Sequence, residues 1–259
     1  MSPPPAVLAG FDVAGEATPL PGGDETSLLV GGVVLKKVID PPLAAWAQER
    51  LSEIRCDAIR VPDPIRATTG AWTVDGWSAT TFVPGLRSGL GRWSDIADAG
   101  RSFSSALAAL GETDLAPVRG RTDRWAVADR FVWDAMPLEF GAEATRIVER
   151  LRANQGPEAP SQIVHADLTG NVFFDPDDIP TVIDFAPLFR PVSHSLAIVA
   201  ADAMLWHDAG IDVLEMIDPK RQSIARALLF RLGSEQLAVD PRHGARVSDY
   251  HRVLDSLGW

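Results

Sequence analysis

The chain has 259 residues, of which 46% are apolar and 23% are charged, as expected of a globular protein with a sizeable core. The formal net charge of −11 argues against a nucleic-acid partner, because phosphates require a basic surface, and it is compatible with a cationic small molecule. A single cysteine excludes an intrachain disulfide and a thiolate-rich zinc site. We find no apolar run of about 18 residues and no basic segment before the short N-terminal apolar stretch, so we expect a cytoplasmic protein without a membrane segment.

The first third of the chain has the pattern of a small β-rich unit. Short β-branched or aromatic runs between glycine turns predict strands at LLV, VVLKKV, PIRATT, AWTV and WSATTFV. A proline followed by apolar residues at helical spacing predicts one helix over 42–56.

The tract LPGGDETSLLVGG contains two Gly-Gly pairs that could approach an anion. At the first pair, Gly22 and Gly23 could expose backbone N–H groups to a phosphate, and Thr26 and Ser27 could add hydroxyl groups. A Gly-Gly pair can also serve only as a tight turn, so this signal by itself leaves both interpretations open.

Helical periodicity dominates after Pro84-Gly85. The predicted helices cover 93–110, 121–136, 142–153, 194–208, 221–232 and 246–257. We therefore predict an N-terminal lobe over 1–84 and a larger helical lobe over 85–259.

The stretch IVHADLTGNVFFDPDDIPTVIDF, at 163–185, has three short strands and a set of polar residues at their ends. Asp167 follows the first strand, Asn171 lies just beyond it, and Asp184 closes the last strand. Phosphoryl transfer needs a carboxylate near the accepting hydroxyl, and oxygen ligands that hold Mg²⁺ on the nucleotide phosphates. Turn formation is the alternative for Asp and Asn, but it does not explain an Asp184 that we expect to be buried after TVI.

The combination H-x-D…N with a following strand that ends I-D-F resembles the aminoglycoside phosphotransferase and choline kinase-like family, which has the protein-kinase-like fold. The whole chain, including the segment RPVSHSLAIVAADAMLWH, looks most similar to an uncharacterised actinobacterial subgroup. The resemblance implies an α+β fold with a small β-rich N-lobe and a larger helical C-lobe. It also implies an ATP-dependent phosphotransferase that acts on a hydroxyl group of a small molecule.

Carried over position by position, the motif assigns roles to four residues. Asp167 would be the catalytic base, Asn171 and Asp184 would hold Mg²⁺, and His165 would brace the loop. The sequence departs from the family pattern because Asn171 follows Asp167 by four residues instead of five, which puts its metal contact in question.

The strand VVLK resembles the kinase strand whose lysine binds the α and β phosphates of ATP or another nucleoside triphosphate. This register selects Lys36 and turns Lys37 outward, and two of the three lysines in the chain lie here. A carboxylate partner for Lys36 would come from the predicted helix, where Glu49 is preferred over Glu53.

The segment GWSATTFVPG resembles the connection between the lobes of these kinases, where backbone groups hold adenine. Our candidates for that contact lie at 81–83, with Thr81 and Val83 as its ends.

The acceptor cannot be identified from the sequence. A cationic acceptor would need carboxylates, and the candidates after the metal-binding position are Asp202, Asp208, Asp212, Glu215 and Asp218.

Two other functions stay open. One is a catalytically inactive kinase-like module that binds nucleotide or a protein partner, which the short loop between Asp167 and Asn171 favours. The retained Lys36, Asp167 and Asp184 oppose it. The other is transfer of a nucleotidyl group instead of phosphate.

Overall fold

A computed structural model of the chain describes residues 2–20, 27–157, 159–238 and 246–259. The described residues of the N-terminal part form five strands, β1 (Thr18–Pro19), β2 (Ser27–Val30), β3 (Val33–Lys37), β4 (Thr73–Val74) and β5 (Trp77–Thr81). They form an antiparallel sheet in the order β1-β2-β3-β5-β4. Gly31 and Gly32 join β2 to β3 with φ angles of +56° and +84°, a two-residue hairpin turn that suits glycine.

Two helices accompany this sheet, α1 (Pro5–Gly10) and α2 (Pro41–Glu53). The Asp40 side chain caps α2 by accepting from the Leu43 N–H at 3.0 Å, and the prolines that follow it fit the first helical turn. Helix α1 was not predicted. Its Val7 is fully buried in a small core with alternate residues of β2, β3 and β5.

The remainder of the chain is mainly helical. Its helices are α3 (Trp93–Ala109), α4 (Ala116–Arg119), α5 (Arg124–Trp133), α6 (Ala142–Ala153), α7 (Val192–Trp206), α8 (Val213–Ile217), α9 (Arg221–Gln236) and α10 (Val247–Ser256). Helix α7 is buried on every side, as its almost continuous apolar sequence dictates, and it packs against α3 and α9. Within the described ranges, no helix is long and apolar enough to cross a membrane.

Two small sheets carry the residues of the 163–185 stretch. Their strands are β6 (Arg87–Ser88), β7 (Gln162–His165), β8 (Val172–Phe174), β9 (Pro180–Val182) and β10 (Pro187–Arg190). Strands β6, β8 and β9 form one antiparallel sheet, and β7 and β10 form the other. As a result, the ends of β7 and β9 lie near each other, with a loop after each.

The strand content differs from the prediction at several places. The run PIRATT forms only an isolated bridge between Pro64 and Thr80, because a proline lacks the N–H that a ladder requires. Strands β1, β6 and β10 were not predicted. The segment after α2 also adds Arg60 to the edge of β9, where its N–H donates to Pro180 and its carbonyl accepts from Val182.

Helix boundaries differ by a few residues. Helix α5 begins at Arg124 because the Asp123 carboxylate caps the N–H groups of Trp125 and Ala126. Helix α9 continues to Gln236, four residues past the predicted end. Strands β1–β5 all precede residue 84, and the lobe boundary at 84/85 stays a prediction.

Candidate active site

The loop after β7 is braced by a buried histidine. The N–H of Asp167 donates to Nδ1 of His165 at 3.0 Å, and Nε2 of His165 lies 3.1 Å from the carbonyl oxygen of Ile183. These partners fit a neutral ring protonated at Nε2, and burial lowers the pKa of His165. His165 therefore ties the Asp167 loop to the strand that precedes Asp184. The Ser195 hydroxyl, from α7, donates to the His165 carbonyl at 2.5 Å.

Asp167 has a hydrogen-bond donor on each carboxylate oxygen. Nη2 of Arg231 donates to Oδ1 at 2.9 Å, and Nδ2 of Asn171 donates to Oδ2 at 3.2 Å. Nδ2 of Asn171 also donates to the Asp167 carbonyl at 2.7 Å. The shorter loop therefore still brings Asn171 to Asp167, and with the amide nitrogen used in this way, the amide oxygen is the atom that could bind a cation.

Asp184 follows β9 in a left-handed conformation, with a φ of +49°. Aspartate tolerates this region better than most residues, and such backbones are frequent in active sites. Its side chain is 43% exposed, so the expectation that Asp184 is buried is wrong. The neighbouring Phe185 is held by rings on three sides: its ring centroid lies 6.3 Å from Trp46, 5.1 Å from Phe103 and 5.7 Å from His165.

Lys36 forms an ion pair with Asp184 across the cleft between the sheet and the Asp167 loop. Lys37 is exposed on the other face of β3, as the strand alternation requires. The helix does not supply the partner of Lys36. Glu49 and Glu53 both point to Arg50 instead, at 3.8 Å and 3.1 Å, so the expected Lys36–Glu49 pair is not formed.

The polar α2 residue that faces the cleft is Gln48, beside the apolar Ala44, Ala47 and Leu51 of the same helix. Its side chain lines the same cavity as Lys36 and Asp184, and only 8% of the residue is exposed. Its amide oxygen is buried without a hydrogen-bond partner among the residues that the structure describes. Gln48 could not be identified from the sequence, because a carboxylate partner for Lys36 was expected and the neighbouring glutamates satisfied that expectation.

A cavity of about 310 Å³ lies between the N-terminal sheet and the β8–β9 strands. The predicted residues Ser27, Lys36, Thr81, Val83, Asn171 and Asp184 line it together. Apolar side chains such as Val34, Leu51 and Phe173 form its walls. Gly22, Gly23 and Thr26 lie outside the described residues.

The two ends of the 81–83 segment differ in what they can still bond. The N–H and hydroxyl of Thr81 are both engaged with the backbone of Asp63, at 2.9 Å each. The Val83 N–H has no hydrogen-bond partner in the described parts of the chain, so it is available to a ligand.

A second, smaller cavity of about 40 Å³ adjoins Asp167. Its lining includes Arg121, Trp125, Phe230 and Arg231, and Asp167 is its one carboxylate among the described residues. Asp202 is 1% exposed and is paired with Arg231, so it is not a free carboxylate for a substrate.

Arg231 was missed from the sequence, although an arginine within the apolar run ALLFRL was a visible departure from the pattern. Its contact with Asp167 places a buried cation beside the loop that follows β7.

Two cavities therefore meet at the Asp167 loop. The larger holds a cation, an amide and a carboxylate on one side and apolar walls on the other. This arrangement can hold a phosphorylated aromatic molecule next to Asp167, which in turn faces the smaller cavity.

Comparison with known proteins agrees with this chemistry. Residues 40–209 match the family model described as the phosphotransferase enzyme family. A comparison with curated proteins found no significant match.

Solved structures with similar folds are kinases and phosphotransferases. The aminoglycoside phosphotransferase from Alicyclobacillus acidocaldarius is 15% identical, with 100% of this chain and 91% of that chain covered and a TM-score of 0.56. The choline/ethanolamine kinase family protein from Mesorhizobium loti is 14% identical, with 97% of this chain and 89% of that chain covered and a TM-score of 0.55. Spectinomycin phosphotransferase, solved with ADP and spectinomycin, is 12% identical, with 96% of this chain and 92% of that chain covered and a TM-score of 0.53. At these identities the likeness concerns the fold, and it confirms the predicted α+β, protein-kinase-like architecture.

Proposed function

The chain belongs to the phosphotransferase enzyme family, and from that premise we propose that it transfers the terminal phosphate of ATP, or of another nucleoside triphosphate, to a hydroxyl group of a small molecule. The observation that carries this proposal is the shared cavity of Lys36, Asn171 and Asp184, which lies beside the hydrogen-bonded carboxylate of Asp167. A lysine, an amide and a carboxylate around one cavity match what phosphoryl transfer requires.

The larger cavity is our proposed nucleotide site. Lys36 would bind the phosphates, the apolar walls would enclose the base, and the Val83 N–H would donate to it. Ser27, Thr81, Gly22 and Gly23 remain proposed contacts. Spectinomycin phosphotransferase was solved with ADP, which supports nucleotide use in this fold.

The donors present fit a magnesium ion. Mg²⁺ in phosphate-handling sites is held by one or two protein oxygens, together with substrate phosphates and water. Asp184 and the amide oxygen of Asn171 would hold it here. In the described residues no group of three acidic, histidine or cysteine side chains could hold a metal ion. The ion would supply charge neutralisation at the terminal phosphates.

Asp167 would act as the catalytic base. The acceptor oxygen attacks the γ-phosphorus in line, the P–O bond to the leaving nucleoside diphosphate breaks, and the acceptor proton passes late to Asp167. Catalysis would depend mainly on positioning and on charge neutralisation by Lys36 and the metal ligands. Glu49, which lies away from Lys36, has no role in this proposal.

The acceptor is a small molecule that would enter from the smaller cavity. Two aromatic side chains and two arginines line that cavity, so a cationic acceptor gains no support from it. Cytoplasmic location, the absence of a nucleic-acid partner and the similarity to an actinobacterial subgroup stay predictions from the sequence. An inactive module is not supported, because Lys36, Asp167 and Asp184 all face the same region.

The test is transfer of labelled phosphate from [γ-³²P]ATP to a panel of hydroxylated small molecules, with each product identified by mass. The proposal predicts an acceptor that gains one phosphoryl group with wild-type protein and not with Asp167→Asn. Gain of a nucleotidyl group would identify the other reaction, and no labelled product from a broad panel would contradict the proposal.

A further inference from the structure

We infer that Arg231 is a positioning residue for Asp167, with Asp202 as the anchor that holds its guanidinium in place. The inference deepens the proposed function and depends on it for the catalytic role of Asp167. Arg231 lies on α9, more than sixty positions from the loop it contacts, and it is 3% exposed. Its Nη2 donates to Oδ1 of Asp167 at 2.9 Å.

The guanidinium is fixed on its other edge. Nε and Nη2 of Arg231 donate to the two carboxylate oxygens of Asp202 on α7 at 2.7 Å and 2.6 Å, a two-bond fork that sets the plane of the group. The rings of Trp125 and Trp206 lie 5.5 Å and 5.3 Å from the guanidinium carbon. A side chain held in this way has little freedom, so the nitrogen that faces Asp167 occupies a defined position.

The charges favour the same arrangement. Burial opposes ionisation of both partners: it raises the pKa of Asp202, and it acts against the charge of Arg231. The two carboxylates of Asp202 and Asp167 more than offset that effect and raise the pKa of Arg231. Arg231 therefore stays charged, and its charge is shared between a buried carboxylate and the half-exposed carboxylate of the loop.

The contact with Asp167 is not needed to bury Arg231. Asp202 alone neutralises the guanidinium with two hydrogen bonds, whereas Asp167 is 43% exposed and can be solvated by water. Together with Asn171 on Oδ2, Arg231 on Oδ1 fixes the rotation of the Asp167 carboxylate. Each oxygen keeps a lone pair with which it can accept from a substrate hydroxyl. The effect is orientation of the base, which affects turnover more than nucleotide binding.

A single substitution of Arg231 is a poor test, because it leaves Asp202 buried without a partner and threatens the fold. The double variant Arg231→Met/Asp202→Leu replaces the pair with apolar side chains of similar size and removes the contact with Asp167. The structure offers a matched control. Arg190 donates through Nε and Nη2 to Asp129 at 2.9 Å and 2.6 Å, in the same two-bond geometry, and neither residue touches Asp167.

The first readout does not depend on turnover. In protein labelled with ¹³C at aspartate carboxyl carbons, the Asp167 signal is the one that disappears in Asp167→Asn. We expect this signal to shift or broaden in Arg231→Met/Asp202→Leu and to stay unchanged in Arg190→Met/Asp129→Leu. An unchanged signal in the first variant overturns the inference.

The second readout separates orientation from binding. For the double variant we expect Mg²⁺–ATP affinity within about threefold of wild type and phosphate transfer lowered by about 10²-fold, the scale of a misplaced catalytic group. Arg231→Lys, which keeps the charge but not the fork, should recover only part of the transfer. Equal loss in the Arg190→Met/Asp129→Leu control, or wild-type transfer in the double variant, overturns the positioning role. A shifted Asp167 signal in a protein whose wild type transfers no phosphate contradicts the proposed function and leaves the contact established.

Discussion

Asp184 has two cationic partners in this account, the Lys36 ammonium that it contacts and the Mg²⁺ that we propose it holds. The Lys36–Asp184 pair is about one-third exposed on the lysine side and 43% exposed on the aspartate side. Ion pairs that are this exposed to solvent contribute only about 0–1 kcal/mol to stability, because water screens the charges and both side chains lose conformational freedom. In the proposed site, Lys36 would therefore exchange Asp184 for a phosphate at little cost in free energy.

Asp167→Asn should separate binding from turnover. The substitution keeps the size of the side chain and its acceptor oxygen but removes the base, so nucleotide affinity should stay near that of wild type. Phosphate transfer should fall by about 10²-fold or more, the usual contribution of a positioned acid or base. Steady-state transfer and calorimetric ATP binding check this, and transfer at the wild-type rate would show that Asp167 is not the base.

Gln48→Met should act in opposite directions on stability and on binding. Removing a buried amide oxygen that has no described partner should raise the free energy of unfolding by about 1 kcal/mol. Because Gln48 lines the proposed nucleotide cavity beside Lys36, its loss should lower ATP affinity by about tenfold, or 1.4 kcal/mol. Urea unfolding and calorimetry measure the two effects.

The matched control is the adjacent Glu49→Gln on the outer side of α2. It should leave both quantities unchanged, because Glu49 faces Arg50 and solvent. Weaker ATP binding in Glu49→Gln, with normal binding in Gln48→Met, would restore Glu49 as the partner of Lys36.

At the residue scale, the sequence placed Lys36, Asp167, Asn171 and Asp184 in one region because each belongs to a motif with its own spacing. Gln48 and Arg231 could not be placed in this way. Their roles depend on the rotation of α2 and on contacts between α9 and a loop far away in sequence, which no local pattern contains.

Among the elements, α3 supports the Asp167 loop through a close contact. A Cβ added at Gly100 would lie 2.4 Å from Cδ1 of Leu168, the residue after Asp167, and Leu168 is 1% exposed. The absence of a side chain at Gly100 therefore lets α3 lie directly against the loop.

Gly100→Ala should consequently destabilise the protein and disturb the site. Alanine is favoured over glycine within a helix by about 1 kcal/mol, but overpacking of a buried contact costs about 1–3 kcal/mol. We expect a net loss in urea unfolding and a lower rate of phosphate transfer. The control Ser105→Ala, on the exposed face of the same helix, should match wild type in stability and in transfer rate. If Gly100→Ala is as stable and as active as wild type, the loop can move to accommodate the added methyl group without a measurable loss.

Helices with a clear apolar periodicity were predicted well. Short strands that form only by pairing with a strand far away in the sequence were not. Helices α3, α6 and α10 were predicted to within one residue at each end, because apolar periodicity and flanking breakers define them. Strands β6 and β10 were missed. Each is short and forms only because it pairs with β8 or β7, far away along the chain.

At the scale of the whole molecule, the buried core contains a histidine that couples stability to pH. His194 is fully buried against Trp133 and Phe230, and neither ring nitrogen has a hydrogen-bond partner in the described residues. Burial, followed by the charges of nearby arginines, lowers the pKa of His194 to about 3. Burial lowers the pKa of His165 as well.

Stability should therefore decrease with acid below a pH of about 6.5. Between that value and about 3 the unfolded chain takes up a proton at position 194 that the folded chain does not, so the free energy of unfolding falls as pH falls. The maximum slope from one such group is about 1.4 kcal/mol per pH unit. At pH 7.5 the ring is neutral in both states and this contribution disappears.

His194→Met should flatten this dependence. The free energy of unfolding of the variant minus that of wild type should be larger at pH 5 than at pH 7.5. Urea unfolding at both pH values measures this difference. An equal difference at the two pH values would show that His194 does not titrate between the folded and unfolded states.

The architecture as a whole was predictable because the motif and the order of elements agreed. Strands come first and helices follow, with the residues that we propose bind phosphate where the two meet. The acceptor was not predictable, because it depends on side chains such as Trp125 and Phe230 that helical packing brings to Asp167.

Calorimetric titration with ATP and ADP, with and without Mg²⁺, on the wild-type protein and Asp184→Asn tests the proposed metal–nucleotide site. We predict Mg²⁺-dependent ATP binding by wild type and a loss of at least about tenfold in Asp184→Asn, because the metal carboxylate is removed. No binding of either nucleotide by wild type, or an unchanged Mg²⁺ dependence in Asp184→Asn, would contradict a metal–nucleotide site between Lys36, Asn171 and Asp184.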